Sequence, residues 1–345
     1  MPDEISQRVR ALVASADAAF KPDASGRIFW RDAMVGQLVK GDALYQPRAE
    51  VRSSSLLEGE QLKSVQDRLN AFALSWPREI LARAVALEGE TLTGTARGIA
   101  YQVFESLGTL PSRNVNEMVK QLDDDGRRQL AQHGIRLGVD MIYMPDLLKP
   151  AQIDAKALLY SLSTDERPEC GPPPPGRVAI DHVDGVSDGY WLATGYRRLG
   201  GRVMRVDMAE RLSATVRAAA REGEFRINEE MLSLAGATRE QMEEMIVDLG
   251  YRKSGEEPAE DPEKPTISLF TRPQRPKKQR DMGGGDRPKG QGKPKGKPRQ
   301  RHAGRPGEGG ARSGDRPGSR KPAPKSTPID PNSPFAVLAK LKEKS

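Results

Sequence analysis

The sequence predicts a mainly α protein: a helical bundle with a small N-terminal β-hairpin, a smaller winged-helix-like α+β module, and a disordered basic tail. Three observations carry this expectation. Apolar residues recur at helical spacing through most of residues 57–162, and short glycine-broken apolar runs flank that stretch. Beyond residue 255 apolar side chains give way to lysine, arginine, glycine and proline, leaving little to offset chain entropy. The expected boundaries are an N-terminal helix and hairpin over 1–56, the bundle over 57–162 and a proline-rich linker over 163–189. The α+β module then covers 190–255, an acidic-then-basic tail 256–328, and a short amphipathic docking helix 329–345.

Taken in order, Ile5, Val9, Leu12 and Val13 predict a first helix ending near Lys21-Pro22. Arg27–Trp30 and Ala33–Val39 are β-like runs that predict the hairpin. Leu62, Val65, Leu69 and Phe72 form a helical stripe stopped at Trp76-Pro77, and Ile80, Ala84 and Leu87 begin the next. Ile99, Val103 and Leu107 give a third, and Val115, Met118, Val119 and Leu122 a fourth, closed by a turn at Asp123-Asp124-Asp125-Gly126. Such narrow stripes require burial against neighbours, hence the bundle. One strand interrupts it, with Ile135, Leu137, Val139, Met141 and Tyr143 alternating up to Pro145.

Pro172–Pro175 stiffens the linker. Tyr190–Leu199 and Arg202–Val206 predict two strands joined at Gly200-Gly201. Asp207 is expected to cap a helix containing Met208, Leu212 and Val216. A short strand at Phe225–Ile227 follows, then a helix opened by Asn228 and closed by Gly236. Thr238 and Gln241 form a capping box for a last helix through Leu249, and the core is expected to end at Gly255.

The charge is divided unevenly. Of the net +7, Arg272–Lys325 carries +14, with 18 lysines and arginines against four carboxylates, and residues 1–271 carry −8. Cys170 is the single cysteine, so no intramolecular disulfide forms and a reducing compartment is expected. There is no run of eighteen apolar residues, and the acidic Met1-Pro-Asp-Glu start lacks an apolar signal core. A cytoplasmic location without membrane contact is the expectation.

Catalytic signatures are absent from the sequence. Gly89 and Gly94 have the spacing of a phosphate-cradling loop, but Thr95-Ala96 stands where Lys-Ser/Thr is needed, so a loop before a helix is expected. His133, His182, His302 and Cys170 do not fall at zinc-ligand spacing, and His133 before Gly134 reads as a helix end. No serine has the flanking glycines of a nucleophile elbow.

Binding signals are present. Arg272, Arg275, Lys277, Lys278 and Arg280 form one basic cluster, and Lys289, Lys293, Lys295, Lys297, Arg299 and Arg301 a second. Such cations displace counterions from a phosphate backbone, giving salt-sensitive and sequence-blind binding. No aromatic residue lies between Arg272 and Lys325, so the stretch tethers a polyanion without stacking on its bases; a purely solubilising tail is the alternative. Tyr190, Trp191, Tyr196, Arg197, Arg198, Arg202 and Arg205 pair aromatics with guanidinium groups in a way that suits RNA, or else the aromatics are core and the arginines a solvated face. Met231–Tyr251 has a helix–turn–helix look, but Glu240, Glu243, Glu244 and Asp248 repel phosphate and favour protein packing. Finally, Ser333 and Pro334 open a short helix with Phe335, Leu338 and Leu341 on one face, suited to docking on the body or on a partner groove.

Several of these segments share a likeness. Gly41–Val51, Leu92–Ala100, Gly195–Asp207 and the terminal Asp330–Phe335 resemble the C-terminal half of a bacterial helicase-related family, itself similar to the mitochondrial RNA-degradosome superfamily-2 helicases. The likeness covers about residues 10–255 and the last fifteen. Full-length members are ATP-dependent helicases using ATP and magnesium, whereas this chain has no nucleotide-binding loop, no Asp-Glu-x-Asp/His box and no arginine-finger motif. The resemblance therefore implies an accessory, RNA-contacting region without a motor or cofactor of its own, acting with a motor in cis or in trans. The alternative is an adaptor that recruits a protein partner through its C-terminal helix.

Overall fold

A computed structural model describes residues 2–52, 57, 59–89, 92–258 and 266–272. The helix α1 (Pro2–Val13) stops well before Lys21-Pro22, because Phe20–Pro22 is spent on strand β1. Three more strands follow, β2 (Arg27–Trp30), β3 (Ala33–Ala43) and β4 (Gln46–Val51), and the expected hairpin is a four-stranded antiparallel meander in the order β1-β2-β3-β4. Helix α2 (Gly59–Ile80) lies against it, burying Val65, Leu69 and Phe72 with Ile28, Leu38 and Ala49. The helix runs through Pro77 and breaks only at Leu81, beyond which α3 (Ala82–Val85) begins.

The middle of the chain alternates short helices with single strands. In order they are α4 (Gly94–Glu105), β5 (Thr109–Pro111), α5 (Asn116–Gln121), α6 (Asp124–Gln132), β6 (Arg136–Leu137), β7 (Met141–Tyr143) and α7 (Pro150–Thr164). The acidic run at 123–126 starts a helix: Asp123 accepts the Gly126 amide at 2.7 Å, and Asp124 and Asp125 sit in the first turn, where the helix dipole favours negative charge. The single alternating strand expected over 135–143 is two strands, β6 and β7, in a sheet ordered β5-β7-β6. Ile99, Val103, Leu110, Leu130, Ile142, Leu147 and Leu159 share one core there.

In the last part, β8 (Ala179–Asp181) comes from the expected linker and pairs with β10. Tyr190–Thr194 belongs to a helix, α8 (Asp188–Thr194), capped by Ser187, which accepts the Tyr190 amide, and closed by Gly195 at φ 87°. β9 (Tyr196–Leu199) and β10 (Arg202–Arg205) form the expected hairpin across Gly200-Gly201. Helix α9 (Val206–Ala219), strand β11 (Phe225–Arg226), and helices α10 (Glu229–Ala235) and α11 (Arg239–Asp248) follow. The expected caps Asn228 on α10 and Thr238/Gln241 on α11 are present, but Asp207 does not cap α9: the helix begins one residue earlier, at Val206, and Asp207 lies in its first turn, paired with Arg205. The core does not end at Gly255. β12 (Arg252–Glu257) and β13 (Ile267–Thr271) complete a sheet ordered β11-β13-β12, with Phe270 fully buried at its centre.

The fold class is therefore mixed α/β, which corrects the expectation of a mainly α helical bundle with a winged-helix-like module. Of the described residues 51% are helical and 22% lie in strands, distributed over four small antiparallel sheets. Helical periodicity records that a face is buried without recording against what, and here α2 packs on a sheet. The terminal module is built on two sheets that recruit β8 and β13 from segments read as linker and tail. Of the tail expected to be disordered over 256–328, residues 256–257 and 267–271 belong to β12 and β13, while 259–265 and 273–328 lie outside the described residues, as does the expected docking helix, 329–345.

Candidate nucleic-acid interface

The β9–β10 hairpin carries Tyr196, Arg197, Arg198, Arg202 and Arg205, helix α8 carries Tyr190 and Trp191, and their surroundings sort them. Tyr190 and Trp191 project from α8 into a core shared with Ile153, Val186 and Val203. Tyr196 is buried too, and its hydroxyl donates to the Arg177 carbonyl at 3.0 Å while burial pushes its ionisation up. The aromatics are core, with no face left for a base.

Two of the arginines are committed to the fold. Arg205 makes a two-pronged contact with Asp207, Nε to Oδ1 at 2.7 Å and Nη2 to Oδ2 at 2.9 Å. Arg202 pairs with Asp181 at 2.8 Å and donates to the Gly236 carbonyl at 3.2 Å, tying β8, β10 and the end of α10 together. Both carboxylates neutralise charge that the sequence alone presents as available.

Arg197 and Arg198 differ. They line a cleft of about 470 Å³ with Ser112, Arg113, Asn116, Asp140, Asp188 and Asp248. Arg113 and Arg198 are exposed, and Arg198 spends only its Nε, on the Gly200 carbonyl at 3.2 Å. Arg197 lies 4.0 Å from Asp140, with its Nη1 buried and lacking a hydrogen-bond partner. Of the three cleft carboxylates, Asp140 is held by Arg217 at 3.0 Å and Asp248 accepts the Gly200 amide at 2.6 Å. Asp188, the third, is exposed, so the cleft sets three arginines against three carboxylates, and the exposed Arg113 and Arg198 are the guanidinium groups best placed to meet a phosphate-like anion.

The remaining expected site residues are placed as follows. Arg272 follows β13, and its Nη2 lies 3.5 Å from the Arg217 carbonyl, at the outer limit of a hydrogen bond. Arg275, Lys277, Lys278, Arg280, Lys293, Lys295, Lys297, Arg299 and Arg301 lie outside the described residues, as do Phe335, Leu338 and Leu341. His133 caps α6, its Nδ1 lying 2.8 Å from the Gln129 carbonyl oxygen. Among the described residues no group of three or more His, Cys, Asp or Glu side chains is placed to hold a metal ion, and no helix is long and apolar enough to cross a membrane.

No family model, curated protein or solved structure matches this chain.

Sequence reasoning passed over Arg113 and a separate cleft on α4 that is lined by aromatic residues. The signal for the cleft was present: Arg97, Tyr101 and Glu105 fall four residues apart on one helix face, opposite the apolar stripe of Ile99 and Val103.

Proposed function

We propose that this chain is an accessory nucleic-acid-binding region, with RNA as its polyanion, working beside an ATP-dependent helicase motor in cis or in trans. One observation carries the reading. Arg272–Lys325 holds a net +14 with no aromatic residue and follows a body of net −8. A stretch of that kind binds phosphate backbones by counterion release, while the acidic body confines the attraction to the tail and to local cationic spots. Arg113 and Arg198 at the hairpin cleft supply one such spot. The link to a motor rests on the likeness of Gly41–Val51, Leu92–Ala100 and Gly195–Asp207 to helicase-related proteins.

The test compares the full chain with a variant lacking residues 272–325 for binding single-stranded RNA across a salt series. Deletion is expected to weaken low-salt binding by at least about tenfold and to flatten the dependence of log K on log salt. Unchanged affinity overturns the reading.

The one-face spacing of Phe335, Leu338 and Leu341 favours a second reading, an adaptor that captures a protein partner. It predicts that Leu338→Asp abolishes partner capture while RNA affinity stays intact.

A further inference from the structure

Tyr101 is the one exposed Phe, Tyr or Trp ring among the described residues, with 56% of its surface open to solvent. It stands over a cleft of about 320 Å³ that α4, α2, the β3–β4 hairpin tip and residues 85–88 build together. Helix α4 supplies Arg97, Tyr101 and Phe104 on successive turns of one face, α2 supplies Arg78, and the tip of the β3–β4 hairpin supplies Tyr45 and Gln46.

The floor is rigid. Tyr45 and Phe104 stack at 4.5 Å between ring centroids with 20° between planes, and the Tyr45 hydroxyl donates to the Phe104 carbonyl at 3.0 Å. The hairpin tip reaches α4 through a register shift in β3 between Val39 and Ala43, inside which Gly41 passes so close to the Gln46 carbonyl that a Cβ would collide with it. Tyr101 takes no part in that stack, so its ring remains available.

The cleft also carries charge in a useful arrangement. Arg78 and Arg97 are exposed, and neither makes an ion pair among the described residues. The Gln46 amide and the Glu88 and Glu105 carboxylates add hydrogen-bonding groups around an apolar floor. A flat aromatic platform, two guanidinium groups and a few edge acceptors are what a single unpaired base and its flanking phosphates require, and the cleft volume falls at the small-ligand end of the usual range.

We propose that this cleft seats one unpaired nucleobase of a single-stranded nucleic acid, stacked on Tyr101, with Arg97 and Arg78 meeting the adjacent phosphates. This rests on the RNA-binding reading and deepens it. The basic stretch has no aromatic residue with which to sense bases, and the Tyr101 cleft adds that sense on the folded body. Sequence-blind tethering and base contact are thereby divided between two parts of the chain.

The test uses the full chain with two probes of equal phosphate number, a single-stranded oligoadenylate and an abasic oligonucleotide. Wild-type protein is expected to prefer the base-bearing strand. Tyr101→Ala should weaken binding of that strand about tenfold, within the range one stacked base supplies, and leave abasic binding unchanged. Tyr101→Phe keeps the platform and should retain the preference, whereas Arg97→Ala should weaken both probes equally. Equal affinity of wild type for the two probes, or an unchanged preference in Tyr101→Ala, overturns the base site while leaving the tail reading intact. Abasic binding that survives deletion of residues 272–325 overturns the tail reading instead.

Discussion

The carboxylate of Glu210, on the second turn of α9, accepts the backbone amide of Asp140 at 2.7 Å. The same carboxylate also takes the amides of Met141 at 2.7 Å and Val139 at 3.0 Å, so one side chain satisfies three consecutive donors in the turn between β6 and β7. Gly138 makes the approach possible, because a Cβ there would press against the Glu210 carboxylate at 2.6 Å. Asp140 in turn pairs with Arg217 one face along α9, and Met141, Tyr143 and Val206 pack beneath. The turn between β6 and β7 is thus fastened to α9 by polar and apolar contacts together, and Asp140 carries that order to the edge of the Arg197 cleft.

Replacing Glu210 by alanine strands three backbone amides in a partly buried turn. A loss of about 2–3 kcal/mol in urea unfolding is expected, because charge-assisted bonds to backbone amides are strong and orphaned donors are costly. Glu210→Gln keeps one acceptor oxygen and should lose less. Equal stability of Glu210→Ala and wild type would show that the turn is held by its own pairing with β5.

Lys156 gives a pH signature. It is fully buried on α7, its Nζ has no hydrogen-bond partner, and burial lowers its ionisation from 10.5 to about 7. Between those two values the unfolded chain binds a proton that the folded protein does not, so unfolding free energy rises with pH across that window. Below about pH 7 the folded protein carries a buried charge at full cost; above about 10.5 the cost is gone. Lys156→Met should raise stability near pH 6–7 by on the order of 2 kcal/mol and flatten the rise toward pH 10. Thermal melts of both proteins over that range check it, and a parallel pH dependence in the variant refutes the assignment.

Which features the sequence disclosed follows from how local they are. The Thr238/Gln241 box and the Gly200-Gly201 turn involve residues within a few positions of each other, and both stand as expected. Tyr190–Thr194 was misread as strand because aromatic side chains favour strands. The Ser187 cap and the Gly195 stop, each outside the aromatic run, decide for helix. β8 is three residues long and pairs with β10 more than twenty residues away, and β13 is five residues long and pairs on one edge with β11, more than forty residues away, and on the other with β12, so neither pairing shows in a local periodicity. The same distance hid the state of the arginines. Arg202 is silenced by Asp181, twenty-one residues earlier, while Arg113 belongs to the cleft only because β5 brings it there.

Gly41→Ala tests the hairpin tip. A methyl group there collides with the Gln46 carbonyl, so the tip must lift from α4 and the Tyr45–Phe104 stack must loosen. Overpacking of this kind costs about 1–3 kcal/mol. Calorimetry should show the loss, and oligoadenylate preference should fall along with it, since the floor of the Tyr101 cleft moves. Unchanged stability would mean that the register shift in β3 relaxes without cost.

The position of β13 decides where the basic stretch can be removed. Phe270 sits with its ring centroid 6.0 Å from that of Phe225, which meets Tyr251 edge-on at 5.4 Å, and β13 is the central strand between β11 and β12. A chain ending at Pro258 loses that strand and exposes the apolar side chains it covers, among them Phe225, Tyr251 and Met245. A chain ending at Arg272 keeps every one of those contacts. The first truncation is expected to abolish the cooperative melt of the last module, and Phe270→Ala alone to cost about 3–5 kcal/mol. The second keeps the whole of that core, so the cooperative melt of the last module is expected to persist. Hydrogen exchange at the α9 and α11 amides distinguishes them: protection lost in the shorter chain and kept in the longer makes β13 part of the folded body, and any fall in RNA binding by the longer chain is then a property of the basic stretch itself.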